Sequence, residues 1–164
     1  PSRLGSLCFG PVRPRWLIPH GQYAPICGMN LCVRREALPL FYFPLMGEGQ
    51  PYRRFDDIWA GVIAKKIADH LGWSISVGEP FVEHRKASDP FVNLVKESPG
   101  IAANEHFWEV IDGASLTAKD ALGSVNELGL YLQSRKHAED PYIRKLGKAL
   151  QVWARLLTER PAGL

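Results

Sequence analysis

Two arginines, an aromatic ring and two carboxylates fall together in Arg53-Arg54-Phe55-Asp56-Asp57-Ile58-Trp59. Such a cluster at a loop-to-helix junction can do two kinds of chemistry. The arginines and the positive end of a helix would meet an anionic group, while a carboxylate would meet a sugar hydroxyl or a developing positive charge. The same residues also read more simply, with Asp56 as a cap, Asp57 favouring the helix dipole, Trp59 in the core and the arginines solvated. A second group, His84-Arg85-Lys86-Ala87-Ser88, offers an imidazole that can ligate a divalent cation and an ammonium that can neutralise phosphate. A surface histidine in a basic loop is the plainer reading, because one histidine without partners defines no metal site. His20, His70, His106 and His137 read as structural.

The elements that must position these groups follow from punctuation and periodicity. Seven prolines between Pro11 and Pro51 exclude long helices there and predict short strands and turns, with a buried strand over Met29–Arg34 and a turn at Gly47–Pro51. A helix is predicted from Asp56 to about Leu71, with Ile58, Trp59, Val62, Ile63, Ile67 and Leu71 at helical spacing and Gly72 as its stop. A strand over Trp73–Val77 and a short run Phe81–His84 then alternate with it, so the fold class is α/β. Beyond Glu105 the pattern is helical: one helix over Glu105–Ile111, one opening at Thr117 with Asp120 three residues on, and one opening at Asp140-Pro141. The last carries an apolar stripe of Ile143, Leu146, Leu150, Trp153 and Leu157, which is either core or an interface.

Composition sets the outer bounds. The chain has 164 residues, 46% hydrophobic and 23% charged, a globular-class sequence of about one domain. Its net charge of +3 is spread along the chain, which does not imply nucleic-acid binding. No apolar run reaches the ~18–20 residues that span a bilayer. Cys8, Cys27 and Cys32 fit no zinc spacing and read as reduced thiols of a cytosolic protein. The usual serine-hydrolase, zinc-protease, P-loop and dinucleotide motifs do not occur. The opening at Pro1, without a Met-initiated leader, reads as a truncated chain.

Several uncommon stretches occur together: Cys27-Gly28-Met29-Asn30-Leu31, Tyr42-Phe43, Leu45-Met46-Gly47-Glu48-Gly49-Gln50-Pro51, Arg54-Phe55-Asp56-Asp57-Ile58-Trp59-Ala60-Gly61, Asp69-His70-Leu71-Gly72, and the run from His84 to Leu94. In this order and spacing the chain resembles the reversibly glycosylated polypeptides, whose plant members interconvert UDP-arabinopyranose and UDP-arabinofuranose. The likeness is most specific from about Tyr23 to Ile111. It implies the C-terminal half of an A-type glycosyltransferase-like fold, with a mixed sheet over residues 1–112 and a helical tail, 113–164, packed on it. No D-x-D metal motif is present, and the family's self-glycosylated arginine belongs to the half that is missing, which leaves Arg53 and Arg54 a charge role.

By resemblance, Asp56 and Asp57 are the catalytic carboxylates, Arg54, Trp59, Lys86 and Asn30 bind substrate, and His84 is a ligand to Mn2+ or Mg2+. The expected activity is that of a UDP-sugar mutase. A glycosyltransferase or self-glycosylating protein is the alternative, and a non-catalytic subunit bound through its helical tail the third. The resemblance further implies a UDP-sugar partner, homo- or hetero-oligomers with paralogues, and residence in the cytoplasm or at the cytosolic face of the Golgi.

Overall fold

Capping chemistry sets three of the four α-helices. In the computed structural model, which describes residues 16–79, 82–83 and 89–159, the chain order is β1 (Trp16–Leu17), a 3-10 turn (Arg35–Leu40), α1 (Asp56–His70), β2 (Ser76–Val77), α2 (Pro90–Asp112), α3 (Ala121–Leu132), a 3-10 turn (Arg135–His137) and α4 (Pro141–Thr158). The Asp89, Asp120 and Asp140 carboxylates accept from the N–H groups of Phe91, Gly123 and Ile143 at 2.8, 2.9 and 2.9 Å. Each thereby satisfies a donor that the first helical turn leaves orphaned. Helix α1 stops as its glycine predicts: Gly72, at φ +69°, donates to Asp69 O and Trp73 donates to Ala68 O, the paired bonds of a Schellman end.

Helix α2 starts well before the expected Glu105 and runs through Pro99. A proline in a helix interior removes a donor, here the one that would serve Val95 O, and costs about 3 kcal/mol. The hydroxyl of Ser98 donates to that carbonyl instead, at 3.0 Å. Helix α3 likewise opens at Ala121 under Asp120 and not at Thr117. The Thr117 hydroxyl, with the N–H groups of Ala118 and Thr117, is given over to the Glu127 carboxylate, which they hold down at about 2.

Helix α1 lies at the centre, buried over most of its length, against α2, α3 and the first 3-10 turn. Trp59, Ile63 and Ile67 meet Phe107 and Ile111 of α2 and the layer of Val125, Leu128, Leu132, Leu146 and Leu150 from α3 and α4 in one hydrophobic cluster. That cluster draws on both sides of residue 112. Of the α4 stripe, Ile143, Leu146 and Leu150 are buried in the core, Leu157 is half-buried, and Trp153, half-buried, donates from its indole to Pro39 O at 2.9 Å. Helices α3 and α4 cross at glycines, since a Cβ on Gly129 would lie 2.8 Å from Gly147 O and one on Gly147 would lie 2.7 Å from Gly129 O. Lys65, 1% exposed, places its ammonium against both Asp69 oxygens and Pro19 O, and Asp69 accepts from Gly21 N, so the 19–21 loop is tied to α1.

The expected mixed sheet is not found among the described residues. They are mainly helical, with one antiparallel ribbon pairing Trp16 with Val77 and Leu17 with Ser76. Met29–Arg34 forms no strand, because a strand needs a neighbour to take its backbone groups and none runs beside it here. The A-type glycosyltransferase fold is thus an expectation that this architecture does not establish. No described helix is long and apolar enough to cross a membrane.

His137, between α3 and α4, is buried with its Nε2 unpartnered. Burial, and then the Lys136 and His106 charges, push its pKa below the ordinary 6.5, so the native state holds it neutral. Stability is therefore full above the unfolded pKa and falls as pH drops below about 6.5, where the unfolded chain takes up a proton that the native one refuses. His137→Phe, which keeps a ring beside Tyr131, is expected to flatten the melting temperature between pH 6.5 and 5 and to add on the order of 1 kcal/mol. An unchanged acid slope in the variant would assign that slope elsewhere.

Candidate functional site at the start of helix α1

The junction ahead of α1 is built under strain. Phe55 has φ 95°, the one non-glycine residue with positive φ among the described residues, and its carbonyl opens the helix by accepting from Trp59 N at 2.8 Å. Such a conformation costs of the order of 1–3 kcal/mol and persists only where the surroundings impose it. Helix α2 imposes it twice. Arg54 Nη1 meets Glu97 Oε1 at 3.0 Å, and the Phe55 ring lies on Gly100, where a Cβ would come within 2.5 Å of the ring.

Phe55, and not Asp56, is the cap residue, and it makes no side-chain capping bond. Both carboxylates consequently belong to the first turn of α1, where the helix dipole favours negative charge. Asp56 is exposed, and no hydrogen bond or ion pair among the described residues engages it. Asp57 is half-buried and accepts from Ile58 N at 2.9 Å.

The loop carrying Asn30 lies against these acids. Asn30 N donates to Cys27 O to close a turn, and a Cβ on Gly28 would sit 3.8 Å from Asp57 Cβ and 3.4 Å from the Phe43 ring. One turn further along α1, a Cβ on Gly61 would meet the backbone nitrogen of Ile26 at 3.0 Å, so the loop rides directly on the helix backbone. Asn30 itself is exposed.

Trp59 faces the other way. It is 1% exposed, stacks on Phe107 with centroids 4.1 Å apart and donates from Nε1 to Asn104 Oδ1 at 3.1 Å. Its ring offers no face to a ligand, which corrects its expected role as a substrate-binding residue. Arg54, spent on Glu97, likewise positions the junction. His84 and Lys86 lie outside the described residues.

Two tyrosines that the sequence did not single out adjoin the acids. Tyr52 and Tyr142 meet edge to face at 5.1 Å, and Tyr52 also stands on Trp59 at 5.0 Å. Burial, with Tyr42, Tyr52, Asp56 and Asp140 nearby, pushes the Tyr142 phenol well above its ordinary range; burial and Asp140 raise Tyr52. Both remain proton donors at neutral pH. Tyr142 is far from Asp56 in sequence, and nothing local could have paired them.

A second polar cleft, of about 240 Å3, is lined by His20, Tyr23, Lys66, Asp69, His70 and Asp112. Its charges are matched internally: Tyr23 donates to Asp112 at 2.6 Å, Lys66 donates to Asp112 O and Lys65 holds Asp69. It reads as a seam between elements.

Residues 12–161 match the family model described as reversibly glycosylated polypeptide. The chain belongs to the reversibly glycosylated polypeptide family. It is 44% identical over 140 residues to the probable UDP-arabinopyranose mutase 1 of Pisum sativum, covering 83% of this chain and 38% of that one. The UDP-arabinopyranose mutase 1 of Arabidopsis thaliana is 44% identical over 140 residues, covering 83% and 39% respectively. The probable UDP-arabinopyranose mutase 1 of Solanum tuberosum is 45% identical over 139 residues, covering 83% and 38%. This reversibly glycosylated polypeptide chain thus spans well under half the length of these relatives.

Within this family member, no three His, Cys, Asp or Glu side chains among the described residues gather closely enough to hold a metal ion. His84, the expected ligand to Mn2+ or Mg2+, lies outside the described residues, and no chemical step below is routed through a metal. The α1 junction is directly testable. Gly100→Ala should raise helix propensity by up to about 1 kcal/mol, yet its methyl would strike the Phe55 ring. A net loss of about 1–2 kcal/mol in urea unfolding is expected, and a gain would show that the ring yields without cost.

Proposed function

We propose that this chain carries the sugar-facing carboxylates of a UDP-sugar mutase that interconverts the pyranose and furanose forms of a UDP-pentose. The observation that carries the reading is the exposed Asp56, which no hydrogen bond or ion pair engages among the described residues, beside the half-buried Asp57, on a strained junction, in a chain related to UDP-arabinopyranose mutases. The reaction breaks the bond from the anomeric carbon to the diphosphate oxygen, with the electron pair leaving on the diphosphate. The C4 hydroxyl closes on the anomeric carbon and gives up its proton, the bond from that carbon to the former ring oxygen breaks and that oxygen takes up a proton, and the same diphosphate oxygen reattaches to the anomeric carbon. Positive charge builds on the sugar when the bond breaks, and a preorganised carboxylate stabilises that charge more than it stabilises the ground state. Asp57 takes this role, held in place by the Gly28 turn and the α1 backbone. Asp56, exposed on the same turn, and Asn30, exposed on the loop that brings Gly28 to Asp57, hydrogen-bond the sugar hydroxyls as the ring opens and recloses.

Lys86 is assigned to the diphosphate, whose leaving charge an ammonium neutralises, and His84 to any divalent cation, whose remaining donors would come from outside the described residues. A cytoplasmic setting belongs to the same proposal and is supported by Cys27 and Cys32, exposed and unpaired thiols. Product analysis tests it. Incubated with UDP-arabinopyranose, the active enzyme should yield an isomeric UDP-sugar with no release of UDP. Stoichiometric UDP with sugar on an acceptor, or on the protein, would make it a transferase.

A further inference from the structure

A further cleft, of about 470 Å3, opens between the 21–25 loop and helices α1 and α2. That volume lies within the range of small-molecule sites. Tyr23, Trp108, Asn104, Glu105, Ile58 and Val62 line it, and the reaction above makes no use of these side chains. The polar tips of its two rings are already committed. The Tyr23 hydroxyl donates to Asp112 at 2.6 Å and the Trp108 indole donates to Glu105 Oε2 at 2.8 Å. What the rings offer a ligand is therefore their faces. With centroids 6.2 Å apart and planes at 40°, the two rings touch each other. No base or cation fits between them, and they form one platform.

Two polar groups of the same cleft are only half spent. Asn104 Oδ1 accepts from Trp59 Nε1, and an indole can only donate, so the amide keeps its NH2 for a ligand. Neither that nitrogen nor Glu105 Oε1 has a partner among the described residues. Glu105 is the one charged residue in the lining, so an anionic group would meet a carboxylate with no cation to offset it. A proline-rich peptide also lies on aromatic faces, but its prolines have no N–H to give the carboxylate. A sugar answers every feature. Its C–H face lies on aromatic rings, and its hydroxyls both donate and accept.

We propose that this cleft binds a neutral saccharide, its ring on Tyr23 and Trp108, one hydroxyl accepting from Asn104 and another donating to Glu105. The site is separate from the acid junction but borders it. Ile58, in the cleft wall, is the residue whose N–H holds Asp57, and the rim loop runs on to Gly28 beside that acid. No nucleotide takes part, so the proposal does not rest on the mutase reading.

Calorimetric titration of the 164-residue chain with xylohexaose, arabinohexaose and cellohexaose tests it. At least one should bind with a Kd below about 1 mM, and equally at low and high salt, as an uncharged ligand does. Trp108→Ala removes half the platform and Glu105→Ala removes the acceptor, and each should weaken binding about tenfold or more. Trp108 also packs on the core, so the exposed Glu105 carries the test where Trp108→Ala does not fold. Absence of binding by all three sugars overturns the proposal, as does binding that Glu105→Ala leaves at full strength. Decaproline binding more tightly than any of the sugars would overturn it too, and make the cleft a peptide groove.

Discussion

Asp57→Asn in the active enzyme is expected to lower kcat about 10²–10³-fold, equivalent to ~2.7–4 kcal/mol of lost transition-state stabilisation, while KM changes little. The substitution isolates charge. Asparagine keeps the volume of the side chain and an Oδ1 that can still accept from Ile58 N, so neither the packing against the Gly28 turn nor the first turn of α1 need move. Urea unfolding of the variant should therefore match the parent to within about 0.5 kcal/mol, as for changes that leave packing intact. Asp56→Asn removes an exposed carboxylate from the same turn and serves as the comparison, with a smaller loss expected. Initial rates of UDP-arabinose isomerisation measure both. Wild-type turnover in Asp57→Asn would take Asp57 out of the mechanism.

Trp59→Ala is expected to cost about 3–5 kcal/mol, the range for deleting a large buried aromatic ring. Against a net stability of the order of 5–15 kcal/mol for a domain, that loss threatens the fold itself. The magnitude follows from the neighbours: Phe107 stacked face to face, Tyr52 and Tyr142 at its edges, Phe55 tilted against it, and an indole N–H bonded to Asn104. Trp59→Phe keeps the stack but orphans Asn104 Oδ1, and should fall between the two. Denaturant melts settle it. A Trp59→Phe protein with unchanged stability and a raised KM would return the ring to the substrate.

The two predictions divide what the sequence disclosed from what it did not. Helices α1 and α4 were legible because their ends are chemical: Asp140 before Pro141, the acidic first turn of α1, and Gly72 at its stop. The length of α2 was hidden because Pro99-Gly100 reads as a breaker. Two non-local facts override it, the Ser98 hydroxyl serving Val95 O and the Phe55 ring requiring a residue without Cβ. Met29–Arg34 has strand composition but no partner strand among the described residues, and pairing is a property of the whole chain. At the site, the paired acids were visible as residues. Their freedom from capping duty depends on the left-handed Phe55, which no local rule assigns to a phenylalanine. Trp59 was legible from its helical spacing as a core residue, and it was the resemblance that gave its ring to the substrate. The family, by contrast, lay in the order of short motifs and needed no geometry.

The glycine crossing of α3 and α4 also bears on the order in which the chain can assemble. The two helices are joined by the short connection 133–140, so bringing them together closes a small loop, and the entropy lost in closure grows with loop length. Helix α1, by contrast, gathers its neighbours from the 3-10 turn before it and from α2 and α3 after it, across much longer stretches of chain. Contacts close in sequence form before distant ones reward their cost. The α3–α4 pair is thus the natural nucleus, a preformed wall of Val125, Leu128, Leu132, Leu146 and Leu150 onto which α1 condenses. The strained turn bearing the two acids can be set only afterwards, once α2 has arrived to hold it.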